Sequence, residues 1–166
     1  MSRMPLNNLW ALIIVSLTIA LVLSVAPIPV FLETARPLWV PLFLTYWVLI
    51  VPDRVGLTTA WVCGLLQDIL SYTFLGQHAL IYSVMIFFVV FVHRRFSMFP
   101  VWQQAAALFV FYVLGLLLQL WLMALGGQRI PALSFLLPAL VSSLLWPWLF
   151  FLMRPLTKRL TVSSED

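Results

Sequence analysis

Charged side chains are scarce in this sequence. Only 8% of its 166 residues are Asp, Glu, Lys or Arg, whereas 64% are hydrophobic, and the mean hydropathy is +1.10. An ordinary soluble domain carries about 25% charged residues. Five acids and nine bases are too few to cover the surface of a water-soluble fold of this length. The composition therefore excludes an ordinary soluble protein and indicates an integral membrane protein.

Residues that several protein classes require are also missing. The single cysteine, Cys63, excludes an intrachain disulfide framework, and its apolar neighbours favour a small packing residue. The sequence contains no HExxH zinc motif, no second membrane-embedded acid for an aspartyl pair, no G-x-S-x-G elbow and no glycine-rich phosphate loop. We therefore expect no metal site, no cofactor and no enzymatic activity. The bases cluster at the ends of hydrophobic runs, which argues against nucleic-acid binding.

Long apolar runs make up most of the chain. A helix needs about 20 apolar residues to cross the hydrocarbon core, and proline or glycine marks most breaks between the runs. We predict an all-α, polytopic membrane helical bundle of about six transmembrane segments, in which residues 1–166 form a single domain. Residues 154–166 are predicted to be a short basic cytoplasmic tail. The predicted spans are residues 8–26, 37–52, 56–71, 78–93, 102–125 and 132–153.

The second and third predicted spans are short. Sixteen residues at a rise of 1.5 Å reach about 24 Å, less than a hydrocarbon core of about 30 Å. Residues 37–52 and 56–71 therefore form either two short spans or a hairpin that enters the membrane without crossing it. Both arrangements leave the orientation of the remaining spans unchanged. The first apolar run exceeds the length of a signal-peptide core, so we expect it to be retained.

The basic residues predict the orientation of the bundle. With six spans and a cytoplasmic N-terminus, only Arg36 and Arg129 of the nine bases lie on the outer side. This bias follows the positive-inside rule, and five spans would place a basic loop or tail outside. Both termini are therefore predicted to be cytoplasmic. The bases assigned to the inner side are Arg3, Arg54, Arg94, Arg95, Arg154, Lys158 and Arg159.

Polar residues interrupt the apolar pattern in the stretch CGLLQDILSYTFLGQHAL, residues 63–80. Gln67 and Asp68 precede the break between two predicted spans, and Gln77 and His78 follow it. An acid at the centre of a membrane helix costs about 2.5–3.5 kcal/mol, and less towards the interface. The predicted orientation places this acid and imidazole near the outer surface.

Helical spacing connects Asp68 to a row of small residues. Gly56, Ala60, Gly64 and Asp68 follow one another at steps of four and share a helix face. Small residues at that spacing allow two helix backbones to approach closely. Asp68 is therefore predicted to point into the bundle, where Arg36 is a candidate partner.

Two interpretations of these polar residues stay open. Asp68 is either a helix-end acid that fixes packing or caps a neighbouring helix, or a contact for a ligand, proton or partner in an outward-facing cavity. His78 is either an interfacial imidazole in contact with water or part of the same site. Ser71 beside them permits an intramembrane hydrolase, but Ser and His near a helix break are a weak pattern. Gln119 is expected to make a hydrogen bond between helices.

The last predicted span carries a second group of candidates. Pro147 lacks a backbone donor and is expected to kink the helix. Arg154, Lys158 and Arg159 follow as a basic tail, which is either attracted to anionic lipid or docks a cytoplasmic partner. Gln104 is expected at the same membrane interface.

Ordered motifs along the chain resemble one bacterial family. They are RPLWV, YW, PDRVG, the Gly-x-x-x-Asp helix and LGQHAL in residues 36–80, WQQA in 102–105 and LWPWLFFLMR in 145–154. Each motif is weak alone, but their order and the chain length resemble the rod shape-determining MreD proteins, particularly those of proteobacteria. The resemblance covers nearly the whole chain.

The resemblance implies a fold and a function beyond what composition indicates. It implies a non-enzymatic membrane scaffold of the cell-elongation complex in the bacterial inner membrane, supporting lateral peptidoglycan synthesis and rod shape. Its implied partners are an MreC-like bitopic protein, a RodA-type glycosyltransferase with a class B penicillin-binding transpeptidase and, indirectly, an MreB-like filament. The implied fold is similar to the substrate-binding subunits of energy-coupling-factor transporters. The alternative function is a small-molecule-binding or transporter subunit with a cavity near Asp68 and His78.

Overall fold

The structure is all-helical, which confirms the predicted fold class. The computed structural model describes residues 7–127 and 133–161, and within those ranges it contains helices and turns without strands. The elements are α1 (Asn7–Val25), α2 (Val30–Glu33), α3 (Trp39–Ile50), α4 (Leu57–Ser71), α5 (Gln77–Phe96), α6 (Val101–Leu125), a 3-10 helix (Leu133–Leu136) and α7 (Leu137–Thr161).

Three helical segments are long and apolar enough to cross a membrane. They are α5, α6 and Ser134–Lys158, which is mostly α7. The apolar helices α1 and α3 are shorter, and α4 has 15 residues. Large apolar side chains such as Phe91 and Trp121 point outwards from the bundle. An apolar outer surface is what contact with lipid tails requires, because such tails cannot satisfy polar groups.

The short helix α3 lies at the centre of the bundle. It has 12 residues, which corresponds to about 18 Å. Every residue from Val40 to Val48 is buried, and α3 packs against α1, α4, α5 and α7. A helix that is too short to reach both membrane surfaces is tolerated where protein surrounds it. Burial among the other helices therefore explains the short second predicted span.

Two features of the ends differ from the sequence-based expectation. The short helix α2 lies between the first two predicted spans, where no element was predicted, and the 3-10 helix forms the start of the predicted sixth span, 132–153. At the C-terminal end of the chain, α7 continues through Pro147 and Pro155 to Thr161. Residues 154–161 of the predicted tail are therefore part of this helix. The remainder of that tail, 162–166, and the predicted outer base Arg129 lie outside the described residues.

The bundle has two ends that carry most of its polar residues. The Asp68 end comprises the C-terminus of α4, the turn to α5 and the segment between α1 and α3. The Arg154 end comprises the turn from α5 to α6 and the last turns of α7. Because α5 has 20 residues and rises 1.5 Å per residue, about 30 Å separates the two ends.

Candidate functional site

Asp68 holds the turn between α4 and α5 together. Its Oδ1 accepts hydrogen bonds from the backbone N–H of His78 at 2.9 Å, from His78 Nδ1 at 2.8 Å and from Thr73 Oγ1 at 2.9 Å. Its Oδ2 accepts from the backbone N–H of Gly76 at 2.8 Å. The side chain of Asp68 is fully buried. Because Gly76 precedes α5, the carboxylate caps the N-terminus of that helix, where negative charge is favoured.

The backbone of the turn suits this arrangement. Tyr72 ends α4 in the left-handed conformation, at φ 54°, and its N–H donates to the carbonyl oxygen of Asp68. Gly76 also has a positive φ, 99°, which glycine adopts without steric cost. The N–H of Thr73 donates to the same carbonyl oxygen at 3.1 Å. Asp68 thus supports the turn through both its backbone and its side chain.

The row of small residues on α4 packs against α5 of the same chain. A Cβ atom added to Gly64 would overlap the backbone of Ala79 and lie 2.7 Å from the carbonyl carbon of His78. Ala60 is also buried, whereas nothing lies within 4 Å of a Cβ added to Gly56. The close approach predicted from the spacing is therefore made at Gly64, and this face is occupied within the bundle.

Arg36 does not pair with Asp68, which corrects the expectation from the sequence. Its guanidinium donates instead to the backbone carbonyl oxygens of Ser24 and Ala26, at the C-terminus of α1. Cations are favoured at that end of a helix, where carbonyl groups lack helical partners. In the described chain the side chain that faces the Asp68 carboxylate is His78, whose Nδ1 lies 2.8 Å from Oδ1.

A cavity of about 570 Å³ opens between these groups at the Asp68 end. Cavities of about 300–1,000 Å³ are typical of small-molecule sites. Polar and charged residues line one part of it, and the rest of the wall is apolar. The polar lining residues are Ser24, Glu33, Thr34, Arg36, Gln67, Ser71, His78, Tyr82, Gln119 and Ser134.

The predicted site residues occupy different places around this cavity. Gln67 lies in its wall, where it accepts a hydrogen bond from Ser24 Oγ at 2.5 Å and donates to Ser71 Oγ at 2.7 Å. His78 also lines it, whereas Asp68 lies behind His78 and outside the lining. Gln77 lines a neighbouring hollow of about 440 Å³ that also includes Gln119.

The groups at this end do not form the catalytic arrangement of a hydrolase. A nucleophilic serine requires hydrogen-bond contact with its base, but among the described residues no hydrogen bond joins Ser71 to His78, and Ser71 Oγ accepts one from Gln67 instead. Among the described residues there is also no group of three or more His, Cys, Asp or Glu side chains that could hold a metal ion. The arrangement is suited to capping a helix and lining a cavity.

Comparison with known proteins decides the family. The profile of rod shape-determining protein MreD matches residues 4–156. The chain belongs to the MreD family. The rod shape-determining protein MreD of Haemophilus influenzae is 32% identical over 151 residues, which cover 90% of this chain and 93% of the relative. No solved structure matches the chain, so the expected similarity to energy-coupling-factor subunits stays a prediction.

In this MreD-family protein, neutral groups join the helices at the Arg154 end. The buried Gln104 donates to the carbonyl oxygens of Phe96 at 3.0 Å and Phe99 at 3.1 Å, and its Oε1 accepts from Trp146 Nε1 at 3.1 Å. These bonds connect α6 with α7 and with the turn that precedes α6. Gln104 is therefore a buried packing residue and not the interfacial side chain that the sequence predicts.

The basic residues of this MreD-family chain lie at the rim of the same end. Arg154 is exposed, with its guanidinium 5.8 Å from the ring centroid of Phe150. Lys158 lies one turn further along α7 and is also exposed. The side chain of the third predicted tail base, Arg159, lies outside the described residues.

Residues that sequence reasoning missed became recognisable only through the partners that they contact. Thr73 and Ser24 are ordinary small polar residues in the sequence, yet they bind Asp68 and Gln67. Gln104 offered a usable pattern, because Leu108 and Tyr112 follow at steps of four and both are buried. A helical face of this kind predicts burial of its polar member as well.

Proposed function

We propose that this chain is a non-enzymatic scaffold subunit of the bacterial cell-elongation complex. The match to the MreD family over residues 4–156 supports a role in determining rod shape and is the observation on which the proposal rests. The described hydrogen bonds of Ser71, His78 and Asp68 serve packing and capping. In this proposal the chain acts by binding other proteins, and the result is support of lateral peptidoglycan synthesis.

The proposed partners bind the outer faces of the helices. An MreC-like bitopic protein is the direct partner, and a RodA-type glycosyltransferase with its penicillin-binding transpeptidase and an MreB-like filament belong to the same complex. The row containing Gly64 is covered by α5, so a partner span has to use another face. Trp61 on α4 and Trp148 on α7 are 51% and 77% exposed, and they mark two such faces.

Photocrosslinking tests these contacts. A photoreactive amino acid at Trp61 or at Trp148 in the host cell should give an adduct with the MreC-like protein from at least one face. Depletion of the chain should turn rods into spheres, and the crosslinkable variants should restore the rods. Persistence of rods after depletion would contradict the proposed role, and adducts with lipid alone would contradict the proposed partners.

The proposed location is the inner membrane, with both termini in the cytoplasm. Arg54 and Arg154 then lie on the cytoplasmic side, and the cavity near His78 faces outwards. A guanidinium-to-ring distance of 5.8 Å between Arg54 and Trp10 supports an interfacial position for this end, where Trp and Arg are common anchors. Reporters fused after Asp166 should be active only in the cytoplasm, and activity outside would contradict this orientation.

The cavity at the Asp68 end supports a second candidate function, binding of a small molecule. Arg36 lines the cavity, and its buried Nε–H has no hydrogen-bond partner among the described residues. Leaving a buried donor unsatisfied costs about 1–3 kcal/mol, and a ligand acceptor would remove that cost. The mixture of polar groups and apolar wall suits a small molecule with one polar edge.

Native mass spectrometry of protein purified from host membranes tests this second function. A small molecule should be retained by the wild type and lost from Gln119→Met, because Gln119 lines the cavity. The matched control is Gln103→Met, in the first turn of the same helix and at the other end of the bundle. Absence of any retained small molecule, or equal retention by both variants, would count against this function.

A further inference from the structure

The turn between α4 and α5, residues 72–76, exposes large apolar side chains at the Asp68 end. Tyr72 is 96% exposed, Phe74 71% and Leu75 72%. The turn has the sequence YTFLG and contains no charged residue. Turns in water are rich in Gly, Pro, Asn, Asp and Ser, and only Gly76 is of these types here. The surface of this turn is therefore unlike that of an ordinary loop in water.

The turns at the opposite end of the bundle are accompanied by charged residues. Asp53 and Arg54 lie in the turn before α4. Arg94 and Arg95, in the last turn of α5, precede the turn that exposes Met98. Because a charge is costly in hydrocarbon, such residues keep a turn at the membrane surface. The turn between α4 and α5 has no charge that would keep it in water.

The lengths of α4 and α5 place their shared turn below the membrane surface. Helix α4 has 15 residues, which corresponds to about 22 Å. From Gln77, the first residue of α5, to Arg94 the helix rises by about 26 Å. Both distances are shorter than a hydrocarbon core of about 30 Å, and any tilt of the helices shortens their reach further. With Arg54 and Arg94 at one membrane surface, the turn lies several ångströms inside the opposite one.

The backbone of the turn suits a position from which water is excluded. Five backbone N–H groups in and next to the turn donate within the chain, and they belong to Tyr72, Thr73, Gly76, Gln77 and His78. Asp68 accepts four of them, two at its carbonyl oxygen and two at its carboxylate. Lipid cannot satisfy backbone donors. These bonds therefore lower the cost of surrounding the turn with lipid.

A hollow of about 440 Å³ beside the turn indicates its level in the membrane. Tyr72 and Phe74 line the hollow together with Met123 of α6, and Gln77 and Gln119 add two amide groups. Amides require hydrogen-bond partners, which the ester and phosphate oxygens of phospholipids supply and hydrocarbon does not. Tyrosine is also enriched where headgroups meet acyl chains. The mixture of side chains fits that boundary.

We propose that the turn between α4 and α5 inserts into the lipid leaflet at the Asp68 end. Tyr72, Phe74 and Leu75 contact phospholipid at the boundary between headgroups and acyl chains. Asp68 permits this position, because it accepts backbone N–H groups that lipid would leave unsatisfied. The proposal goes beyond the scaffold function, and it does not depend on which end of the bundle faces the cytoplasm.

Spin labels on the full-length protein in vesicles of phosphatidylethanolamine and phosphatidylglycerol test the proposal. The native thiol is removed by Cys63→Ala, and a single labelled cysteine is introduced by Phe74→Cys or Leu75→Cys. Power-saturation EPR then measures collisions of the nitroxide with oxygen, which concentrates in the bilayer, and with a nickel chelate, which stays in water. Both labelled side chains are exposed, so the label reports the surroundings of the turn.

Two further labelled positions serve as matched references. Phe87→Cys carries the label on an exposed position in the middle of α5, and Met98→Cys carries it on the turn beside Arg95, where Met98 is 85% exposed. The ratio of oxygen to chelate collisions at residues 74 and 75 should be several-fold higher than at residue 98. It should also be lower than at residue 87, as expected for the boundary between headgroups and acyl chains.

The other outcomes overturn the proposal in different ways. A ratio at residues 74 and 75 as low as that at residue 98 would place the turn in water. A ratio as high as that at residue 87 would place it among the acyl chains and remove the proposed level. Low collision rates with both reagents would show that protein, in these vesicles a second copy of the chain, covers the turn instead of lipid.

Discussion

The two ends of the bundle solve the problem of polar residues inside a membrane protein in different ways. At the Asp68 end a charged carboxylate is fully buried and accepts four hydrogen bonds. At the Arg154 end the buried groups, Gln104 and Trp146, are neutral, and the charged residues stay at the rim. The first end uses its charge internally, whereas the second leaves its charges accessible.

This difference indicates which end suits which role. A buried charge is tolerated only where other groups compensate its desolvation, and Asp68 accepts four hydrogen bonds within one turn of the chain. Its compensation leaves it little capacity to bind anything else. Arg154 and Lys158, by contrast, are exposed at the rim of their end. The Asp68 end therefore uses its charge to stabilise a turn, whereas the Arg154 end keeps these two charges at the surface.

Asp68→Ala is expected to have the largest effect on the stability of the protein. It leaves the part-buried N–H groups of Gly76 and His78 without their acceptor, so we expect a loss of about 4 kcal/mol in the free energy of unfolding. Denaturation with sodium dodecyl sulfate in mixed micelles measures it. Asp68→Asn keeps one carbonyl oxygen and should lose less.

The control for Asp68→Ala is Asp53→Ala, at the opposite end of the bundle, where the Asp53 side chain is exposed. It should change the free energy of unfolding by less than about 0.5 kcal/mol. Equal effects of Asp68→Ala and Asp53→Ala would mean that the buried carboxylate does not hold the turn.

Gly64→Ala should have the next largest effect. The added methyl group overlaps backbone atoms of α5, which cannot move without separating the helices, so we expect a loss of about 3 kcal/mol. Gly56→Ala is the same change at the N-cap of α4, with open space around it, and it should cost less, about 1 kcal/mol. Thermal unfolding of the two purified variants gives their melting temperatures, and equal melting temperatures would contradict this prediction.

Gln104→Leu tests the neutral hydrogen bonds at the Arg154 end. It removes the acceptor of the Trp146 indole N–H and the donor of two carbonyl oxygens, which should cost about 2 kcal/mol. Fluorescence of the buried Trp146 offers a second measurement besides unfolding. Gln103→Leu, one residue earlier, serves as the control. A loss as large as that of Asp68→Ala would remove the distinction between the two ends.

Gly115→Ala should have the smallest effect of the four. A Cβ atom at Gly115 would meet only the side chain of Met85, and methionine adapts its shape more readily than a backbone does. We expect a loss of about 1 kcal/mol or less. The measurement is the same thermal unfolding as for Gly64→Ala. A larger loss at Gly115 than at Gly64 would show that Met85 has no alternative rotamer.

The helical pattern made the burial of Asp68 predictable but left its partners open. Steps of four between small residues placed the acid on a packed face, and the structure has it there. Its partner was predicted incorrectly, because Arg36 is engaged by the end of α1. All four groups that bind the Asp68 side chain, on Thr73, Gly76 and His78, lie within ten residues of it. A local turn formed this contact, and helix periodicity carries no information on turns.

The cavity was predicted less completely. The sequence placed Arg36, Gln67 and His78 near the outer surface, and these three line it. It could not assign Ser134 or Tyr82 to the same wall, because they come from distant segments. A pocket of about 280 Å³ at the Arg154 end is a similar case, since Ile50, Gln104 and Arg154 meet there only when three helices pack.

The sequence by itself determined that this is a helical membrane protein, that Ala60, Gly64 and Asp68 face inwards on α4, and that the chain belongs to the MreD family. Composition, helical period and ordered motifs are properties of the chain read in one dimension, so no tertiary contact is needed to recognise them. Only the tertiary structure decided that α3 is enclosed, that Asp68 caps α5 and that two bases share a pocket with apolar side chains. These features depend on the distances between residues far apart in the chain, and packing of the helices sets those distances.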